Sequence, residues 1–359
     1  MFTFDRKNTR KVKVGDLYIG GGAPVSVQSM TNTDTHDIDA TERQVRALVE
    51  AGCDVVRLTA PDISSADTFR VLKERGIKCP LVADIHFDYK IALACIEAGA
   101  DKIRINPGNI GGRERVRAVA TACKERGVPI RIGVNSGSLE KEILKKFGSP
   151  TAEALVESAL YHASLLEAEG FYDTVLSVKA SSVTEMIRAN KILRERTDYP
   201  IHLGVTEAGG GDEAIVKSSV GIGSLLSLGI GDTVRVSLTA DPVSEVPVAR
   251  EILKSLGLLA SSGMDVVSCP TCGRTRVDLI SILQAFKARA KDEGLDKMNI
   301  KVAIMGCAVN GPGEAREADV GIACGIGEGL IFKSGEIIRK VGEDSLVDAL
   351  LDEVRQLKK

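Results

Sequence analysis

The sequence predicts an α/β fold: a TIM (β/α)8 barrel over most of the chain, then a compact α+β domain. Three observations carry that expectation. Eight short runs rich in β-branched residues alternate with longer helix-patterned stretches between residues 23 and 256. Several of those stretches end at Gly with a strand soon after. The period then breaks near Ser261-Ser262-Gly263, where short strands take over. Eight βα units of this length match a closed barrel better than a doubly wound sheet.

The expected barrel strands are Ala23–Met30, Val55–Ala60, Pro80–Ile85, Lys102–Pro107, Pro129–Asn135, Thr174–Ala180, Pro200–Glu207 and Thr233–Asp241. Between them, Val45, Leu48 and Val49 share one face of the stretch from Ala40 to Ala51. Leu155, Ala159, His162, Leu165 and Leu166 do the same between Ala152 and Gly170, at helical period. Gly52, Gly76, Gly99, Gly127 and Gly170 sit just past expected helix ends, where glycine accepts the left-handed cap conformation. Beyond residue 260 we expect a helix Thr275–Ala290, strands Ile300–Met305, Asp319–Cys324, Gly329–Lys333 and Glu336–Lys340, and a last helix Asp344–Leu357. The expected domains are 1–260 and 261–359.

Of 359 residues, 44% are apolar, enough for a buried core. Lys and Arg number 47 against 49 Asp and Glu, a net charge of −2 that argues against a general nucleic-acid binder. With no Trp and 4% aromatic residues, base-stacking surfaces are poorly supplied. The N-terminal Met1-Phe-Thr-Phe-Asp-Arg-Lys has no long apolar run, so neither a signal peptide nor a membrane span is expected, and the location reads as cytoplasmic. In that compartment the eight cysteines are thiols or ligands rather than disulfides. Cys53, Cys79, Cys95 and Cys123 lie in or beside apolar runs and read as packing.

Barrels carry their chemistry at the C-terminal ends of the strands. Those ends are polar here: Gln28 and Met30, Arg57 and Thr59, Asp84 and His86, Arg104 and Asn106, Arg131 and Asn135, Lys179, Glu207, then Arg235 and Ser237. A single strand-end Arg is as often a surface ion pair as a ligand contact. Arg57, Arg104, Arg131, Lys179 and Arg235 converging on one rim would repel each other, so an anion is implied. Arg suits phosphate oxygens through its bidentate fork, and two phosphoryl groups match this much charge. The turn Asn106-Pro-Gly-Asn-Ile-Gly-Gly112 can add backbone amides at a helix start. Glu207 is the candidate acid for proton transfer to a leaving oxygen; its bland role is counter-charge to Lys179 or Arg235. His86 can donate a hydrogen bond to a ligand. His162 and His202 read as core or helix-face residues, and His36 is a thin candidate for the mouth.

The second domain holds Cys269-Pro-Thr-Cys272 and Gly306-Cys307-Ala-Val-Asn-Gly-Pro-Gly-Glu314. Thiolates at such spacing converge on a soft metal centre. Zinc wants four N or S ligands in a closed tetrahedron, which Cys269, Cys272, Cys307 and Cys324 can supply. Three cysteines with a different fourth ligand suit instead an iron–sulfur cluster with one chemically special iron. The lone Cys307 and the strand-like setting of Cys324 favour iron–sulfur, with zinc still open. Glu314 would be a harder, more exchangeable ligand that can yield its place to a substrate oxygen.

Val27-Gln-Ser-Met-Thr-Asn-Thr, Leu81-Val-Ala-Asp-Ile-His-Phe, Ile103-Arg-Ile-Asn-Pro-Gly-Asn-Ile-Gly, Gly204-Val-Thr-Glu-Ala-Gly, Cys269-Pro-Thr-Cys-Gly-Arg and Met305-Gly-Cys-Ala-Val-Asn-Gly-Pro-Gly-Glu-Ala together resemble the bacterial 4-hydroxy-3-methylbut-2-enyl diphosphate synthase family, in its short two-domain form. The resemblance covers nearly the whole chain, and Asn-Gly-Pro-Gly-Glu is its most specific piece. It implies reductive ring opening of 2-C-methyl-D-erythritol 2,4-cyclodiphosphate on the methylerythritol phosphate route to isoprenoids. It implies a [4Fe-4S] cluster on Cys269, Cys272, Cys307 and Glu314. Arg57, Arg104, Arg131, Lys179 and Arg235 would hold the diphosphate, with His86, Asn135 and Ser237 nearby, and Glu207 would serve proton transfer. A ferredoxin or flavodoxin donor and a head-to-tail homodimer are implied too. The chain shows no GxGxxG unit with a following acid and no Walker-type loop, in keeping with electrons from another protein. Two rival readings stand beside this one: a Schiff-base aldolase or lyase with Lys179 as nucleophile and a zinc-stapled tail, and a non-enzymatic phosphometabolite-binding protein.

Overall fold

The structure, a computed structural model, describes residues 9–260, 263–307 and 316–357. It divides into two compact units, Met1–Leu259 and Ala260–Lys359. The first opens with a hairpin, β1 (Val12–Val14) and β2 (Leu17–Ile19), that the sequence reading passed over. Its signal was present: Val12 and Val14 alternate with lysines, and the two-residue loop Gly15-Asp16 needs the φ of +55° that Gly15 adopts.

All eight expected barrel strands follow: β3 (Ser26–Met30), β4 (Val55–Thr59), β5 (Leu81–Asp84), β6 (Lys102–Ile105), β7 (Ile130–Asn135), β8 (Thr174–Lys179), β9 (His202–Leu203) and β10 (Thr233–Val234). Each runs parallel to the next, β10 returns to β3, and a bridge between Leu176 and Ile201 joins β8 to β9. β9 and β10 are shorter than expected. Beyond their two-residue ladders the chains still run side by side, and Arg235 N–H donates to the Leu203 carbonyl at 2.9 Å. Gly52, Gly76, Gly99, Gly127 and Gly170 all take positive φ after their helices, as their placement predicts.

Alternation along a strand gives each barrel strand an outer and an inner row. Outer-row residues such as Val56, Leu58, Ile103, Ile105, Ile130 and Ile132 join the core beneath the helices. The inner rows hold Gln28, Arg57, Asp84, Lys102, Arg104, Arg131, Lys179 and His202. TIM barrels usually fill this space with branched aliphatic layers. Val175, an inner-row residue of β8, instead packs with Val12, Val14 and Ile19. The hairpin thus plugs the N-terminal end of the barrel with apolar side chains, while the C-terminal end stays polar.

The second unit is a five-stranded sheet in the order β11 (Asp265–Ser268), β12 (Lys301–Met305), β13 (Val320–Cys324), β14 (Glu328–Lys333), β15 (Glu336–Gly342). The first three strands are parallel and the last two antiparallel additions. The short strand β11 was not expected. The helix expected from Thr275 begins at Leu279, because Asp278 caps it by accepting the Ser281 N–H. With the helix Leu346–Leu357 it buries Phe286, Leu350 and Val354 against Val302, Ile304 and Ile322. Among the described residues no helix is long and apolar enough to cross a membrane.

On the central strand β13, Gly321 faces Phe332 of β14 across the ladder. A Cβ there would stand 2.3 Å from the Phe332 ring and 2.5 Å from the Ala303 carbonyl oxygen. Gly321→Ala is therefore expected to cost about 1–3 kcal/mol by overpacking. Urea denaturation reads this as a lower midpoint; an unchanged midpoint would mean that the ring is free to move.

Candidate active site

Strand register builds the mouth of the barrel. It sets Asp84 beside Arg104, Arg104 beside Arg131, and Asn135 beside Lys179. Asp84 is buried and takes Arg57 Nη2 and Arg104 Nη1 on its two oxygens, each at 3.2 Å. Arg104 Nη2 also donates to the Gly133 carbonyl at 2.8 Å, and Gly133 N–H donates to Asn106 Oδ1 at 3.0 Å. A Cβ on Gly133 would stand 2.6 Å from Arg104 Nε, so glycine lets the guanidinium lie across β7. His86 is exposed, with Nδ1 3.3 Å from Arg104 Nη1 and Nε2 3.7 Å from Asp84.

Arg235 leans on Glu245, the first residue of the helix Glu245–Ser255. Its Nε and Nη2 reach different carboxylate oxygens, both at 3.2 Å. Sequence reasoning missed Glu245; the usable signal was an acid closing the Asp241-Pro-Val-Ser turn after the eighth strand. The counter-charge to Arg235 is thus Glu245 and not Glu207. Glu207 makes no ion pair among the described residues and is exposed, with φ at +54°. That left-handed backbone is uncommon outside glycine, and such outliers collect at functional sites. Ser237 is half-buried beyond β10.

Arg131 and Lys179 have no carboxylate partner among the described residues. Arg131 is 1% exposed, and its Nε and Nη2 lack any hydrogen-bond partner. Lys179 lies against Gly204, where a Cβ would stand 2.7 Å from Nζ. Lys102, two residues before Arg104, is 0% exposed, and its Nζ has no hydrogen-bond partner among the described residues. This cation escaped the sequence reading because it starts its strand rather than ending it. Burial, then Arg131 and Arg57, pushes the Lys102 amine down to about 7. Burial with Arg131 and Arg235 pushes Lys179 well below its ordinary value, and burial with Lys179 does the same to His202. The site sheds repulsion through its amines and imidazole, since guanidinium groups keep their protons. Buried donors without acceptors at a polar barrel end suit a multiply charged anion.

The second unit brings cysteines together in the same way, at strand C-termini. Register pairs Ser268 of β11 with Ile304 of β12, so Cys269 and Cys307 leave one end of the sheet. Gly306 N–H donates to Cys269 Sγ at 3.2 Å. Thr271, at φ +58°, turns the chain so that the Arg274 N–H and then its side chain hold the Cys272 thiol below its ordinary range. Cys324 is 1% exposed in the hydrophobic core of the unit, and burial pushes its thiol up to about 12. It is poorly placed as a thiolate ligand, which disfavours the four-cysteine zinc site. Among the described residues no three His, Cys, Asp or Glu side chains gather closely enough to hold one ion, and Glu314 lies outside those residues. Thiolate-favouring N–H donors at Cys269 and Cys272 fit an iron–sulfur group.

Burial alone would raise the Asp84 carboxyl, but Arg57 and Arg104 outweigh it and hold it below the ordinary carboxylate range. Its stabilising contribution is present above the unfolded value and is lost as pH falls through the depressed folded one. Asp84→Asn should therefore cost on the order of 3 kcal/mol in urea denaturation at neutral pH, by leaving two buried guanidinium groups unpaired. The gap from the parent should narrow under acid conditions; a gap independent of pH would refute the pairing.

Residues 9–250 match the GcpE TIM-barrel domain, and residues 265–356 match the GcpE protein C-terminal domain. A 4-hydroxy-3-methylbut-2-en-1-yl diphosphate synthase (flavodoxin) of Clostridium perfringens is 57% identical over 347 residues, covering 97% of this chain and 98% of its own. Proteins of the same name from Ruminiclostridium cellulolyticum and Geobacillus thermodenitrificans are each 57% identical, over 98% of this chain and 98% and 93% of theirs. Among solved structures, N-acetylneuraminic acid synthetase of Leptospira borgpetersenii shares the fold at a TM-score of 0.51 and 14% identity, over 78% of this chain and 96% of its own. Phospho-2-dehydro-3-deoxyheptonate aldolase of Thermotoga maritima does so at 0.50 and 14%, over 70% and 73%. Those two likenesses speak to the fold alone. With both domain matches in chain order and identity this high over nearly the full length, the chain belongs to the GcpE family.

Proposed function

We propose that this chain is a 4-hydroxy-3-methylbut-2-enyl diphosphate synthase. It opens the ring of 2-C-methyl-D-erythritol 2,4-cyclodiphosphate and removes a hydroxyl reductively: two electrons and two protons enter, and one water leaves. The observation that carries the substrate reading is Arg131, a buried guanidinium whose Nε and Nη2 have no acceptor among the described residues, set among Arg57, Arg104, Lys179 and Arg235. Those five side chains bind the two phosphoryl groups. His86, Asn135 and Ser237 orient the sugar-derived part at the rim, and Glu207 moves a proton to the departing oxygen.

Cys269, Cys272, Cys307 and Glu314 hold a [4Fe-4S] cluster. When bound, that group supplies low-potential single electrons and a Lewis acid. The protein's part is to keep both phosphoryl groups fixed and to hold the reacting carbon and oxygen in place. A flavodoxin donates the electrons, as in the names of the relatives, with ferredoxin as the other candidate class. The working unit is a head-to-tail homodimer in the cytoplasm. A depressed Lys179 would also suit a Schiff-base enzyme, but the relatives carry the name of the reductive synthase and lend that alternative no support.

Anaerobically purified protein should contain iron and sulfide and turn over the cyclic diphosphate with reduced flavodoxin. Colourless protein bearing zinc and no sulfide, even after reconstitution, would sink the reading. Glu314→Ala should lower cluster retention and turnover while the barrel stays folded by circular dichroism; full activity removes Glu314 from the ligand set. Arg131→Met should weaken binding of inorganic diphosphate by about 1.5–3 kcal/mol, the worth of a charged hydrogen bond. Calorimetry giving an unchanged affinity would take Arg131 out of the cradle.

A further inference from the structure

We infer that Glu245 is a positioning residue for anion binding: it fixes the Arg235 guanidinium in the orientation from which that side chain meets the ligand. The inference rests on the proposed diphosphate site. Arg235 stands within electrostatic reach of Arg57, Arg131 and Lys179, each of which it disfavours in charged form. An unanchored guanidinium there would swing toward solvent. Glu245 prevents this from a site 3% exposed, with both oxygens engaged. One oxygen accepts from Ser29 Oγ at 2.8 Å and Arg235 Nε at 3.2 Å. The other accepts from Arg235 Nη2 and the Leu238 N–H, both at 3.2 Å.

The carboxylate is therefore tied to the first barrel strand through Ser29 and to the segment after the last strand through Leu238. It cannot rotate without breaking one of those ties, so the guanidinium plane is fixed as well. This fork uses the Nε and Nη2 edge of Arg235. The remaining nitrogen, Nη1, has only the soft Met30 Sδ at 3.7 Å among the described residues, and its N–H groups, with the second N–H of Nη2, are left to present to an anionic oxygen. A carboxylate beside an anion site weakens long-range attraction. It is retained here because a pre-oriented guanidinium loses less freedom when the ligand arrives. Asp84 does the equivalent for Arg57 and Arg104, whereas Glu245 ion-pairs with Arg235 alone among the described residues and reaches Arg57 and Lys179 only through space, which makes its role separable.

The test is a double-mutant cycle on the full-length, anaerobically purified protein, with inorganic diphosphate as probe and isothermal calorimetry as readout. Glu245→Gln should lower diphosphate affinity roughly tenfold, because the amide turns a donor toward the guanidinium. In an Arg235→Ala background the same change should cost less than about twofold. With the cyclic substrate, Glu245→Gln should raise KM more than it lowers kcat. Equal losses in both backgrounds, or no loss in the parent, overturn the inference. Should Glu245→Gln fail to fold, Ser29→Ala frees the carboxylate more gently and should lower affinity severalfold through Arg235; an unchanged affinity there overturns it equally. If the parent protein binds no diphosphate, the cradle itself falls and the role of Glu245 with it. If the parent binds and the variants bind equally well, the cradle stands and Glu245 alone is rejected.

Discussion

Like charge buried at the end of the barrel is the constraint on which the rest of this structure depends. Arg57, Arg104, Arg131, Lys179, Arg235 and Lys102 crowd together, and among the described residues Asp84 and Glu245 are the buried acids that ion-pair with them. Each guanidinium stays charged, so repulsion among them cannot be titrated away. The fold meets it in two ways. The carboxylates are spent on immobilising arginines, Asp84 on Arg57 and Arg104 and Glu245 on Arg235, and the amines of Lys102 and Lys179 lose affinity for their protons. What remains uncompensated is concentrated on Arg131. An anion arriving there would meet donors already aimed and already desolvated, so little of its binding energy would go into rearranging the protein.

That choice sets where stability must come from. An inner row of cations and amides contributes little apolar burial, and its desolvation is costly. The outer rows are accordingly close to uniformly aliphatic, and they join one continuous core with the surrounding helices. The hairpin β1–β2 adds apolar closure at the opposite end, where Val12, Val14 and Ile19 meet Val175. Glycines at 133 and 204 complete the arrangement by making room for Arg104 and Lys179 to lie across neighbouring strands. The barrel is stabilised from outside and specialised from inside, a division seen where function uses up part of a fold's stability.

Much of this was legible in the sequence because two periods are easy to read. Strand alternation put Arg104 and Asn106 on one face, and helical spacing separated the eight strands cleanly. Two of the misses, Glu245 and Lys102, share a physical cause in long-range packing. Glu245 acts across ten residues on Arg235 and across 216 on Ser29, and nothing local marks it as their partner. Lys102 has the same parity as Arg104, but the depth of a side chain in a barrel depends on all eight strands at once. The hairpin was readable from alternation and a Gly-Asp turn, and β11 offers only Val266 and Val267 between polar residues just before the CxxC. Glu314 was singled out from its motif alone, and the described residues do not include it.

The same local logic recurs in the second unit. Carboxyl ends of parallel strands release their chains into loops whose N–H groups have no ladder partner. In the barrel those ends gather guanidinium groups. On the smaller sheet, β11 and β12 deliver Cys269 and Cys307 to one end, and Gly306 N–H is left free to face a sulfur. Cys324 ends the next parallel strand, yet its side chain falls into the core and its thiol is pushed up. The two cases differ in how the chain leaves the strand. After β13 a tight Gly325-Ile-Gly turn returns the chain at once into β14, keeping Cys324 paired opposite Gly329. After β11 the chain runs on through Cys269 to Cys272 without turning straight into a neighbouring strand, and a cysteine there can present a thiolate. Position at a strand end is therefore not enough to make a ligand: the connection after it decides whether the sulfur is buried as packing or offered as chemistry.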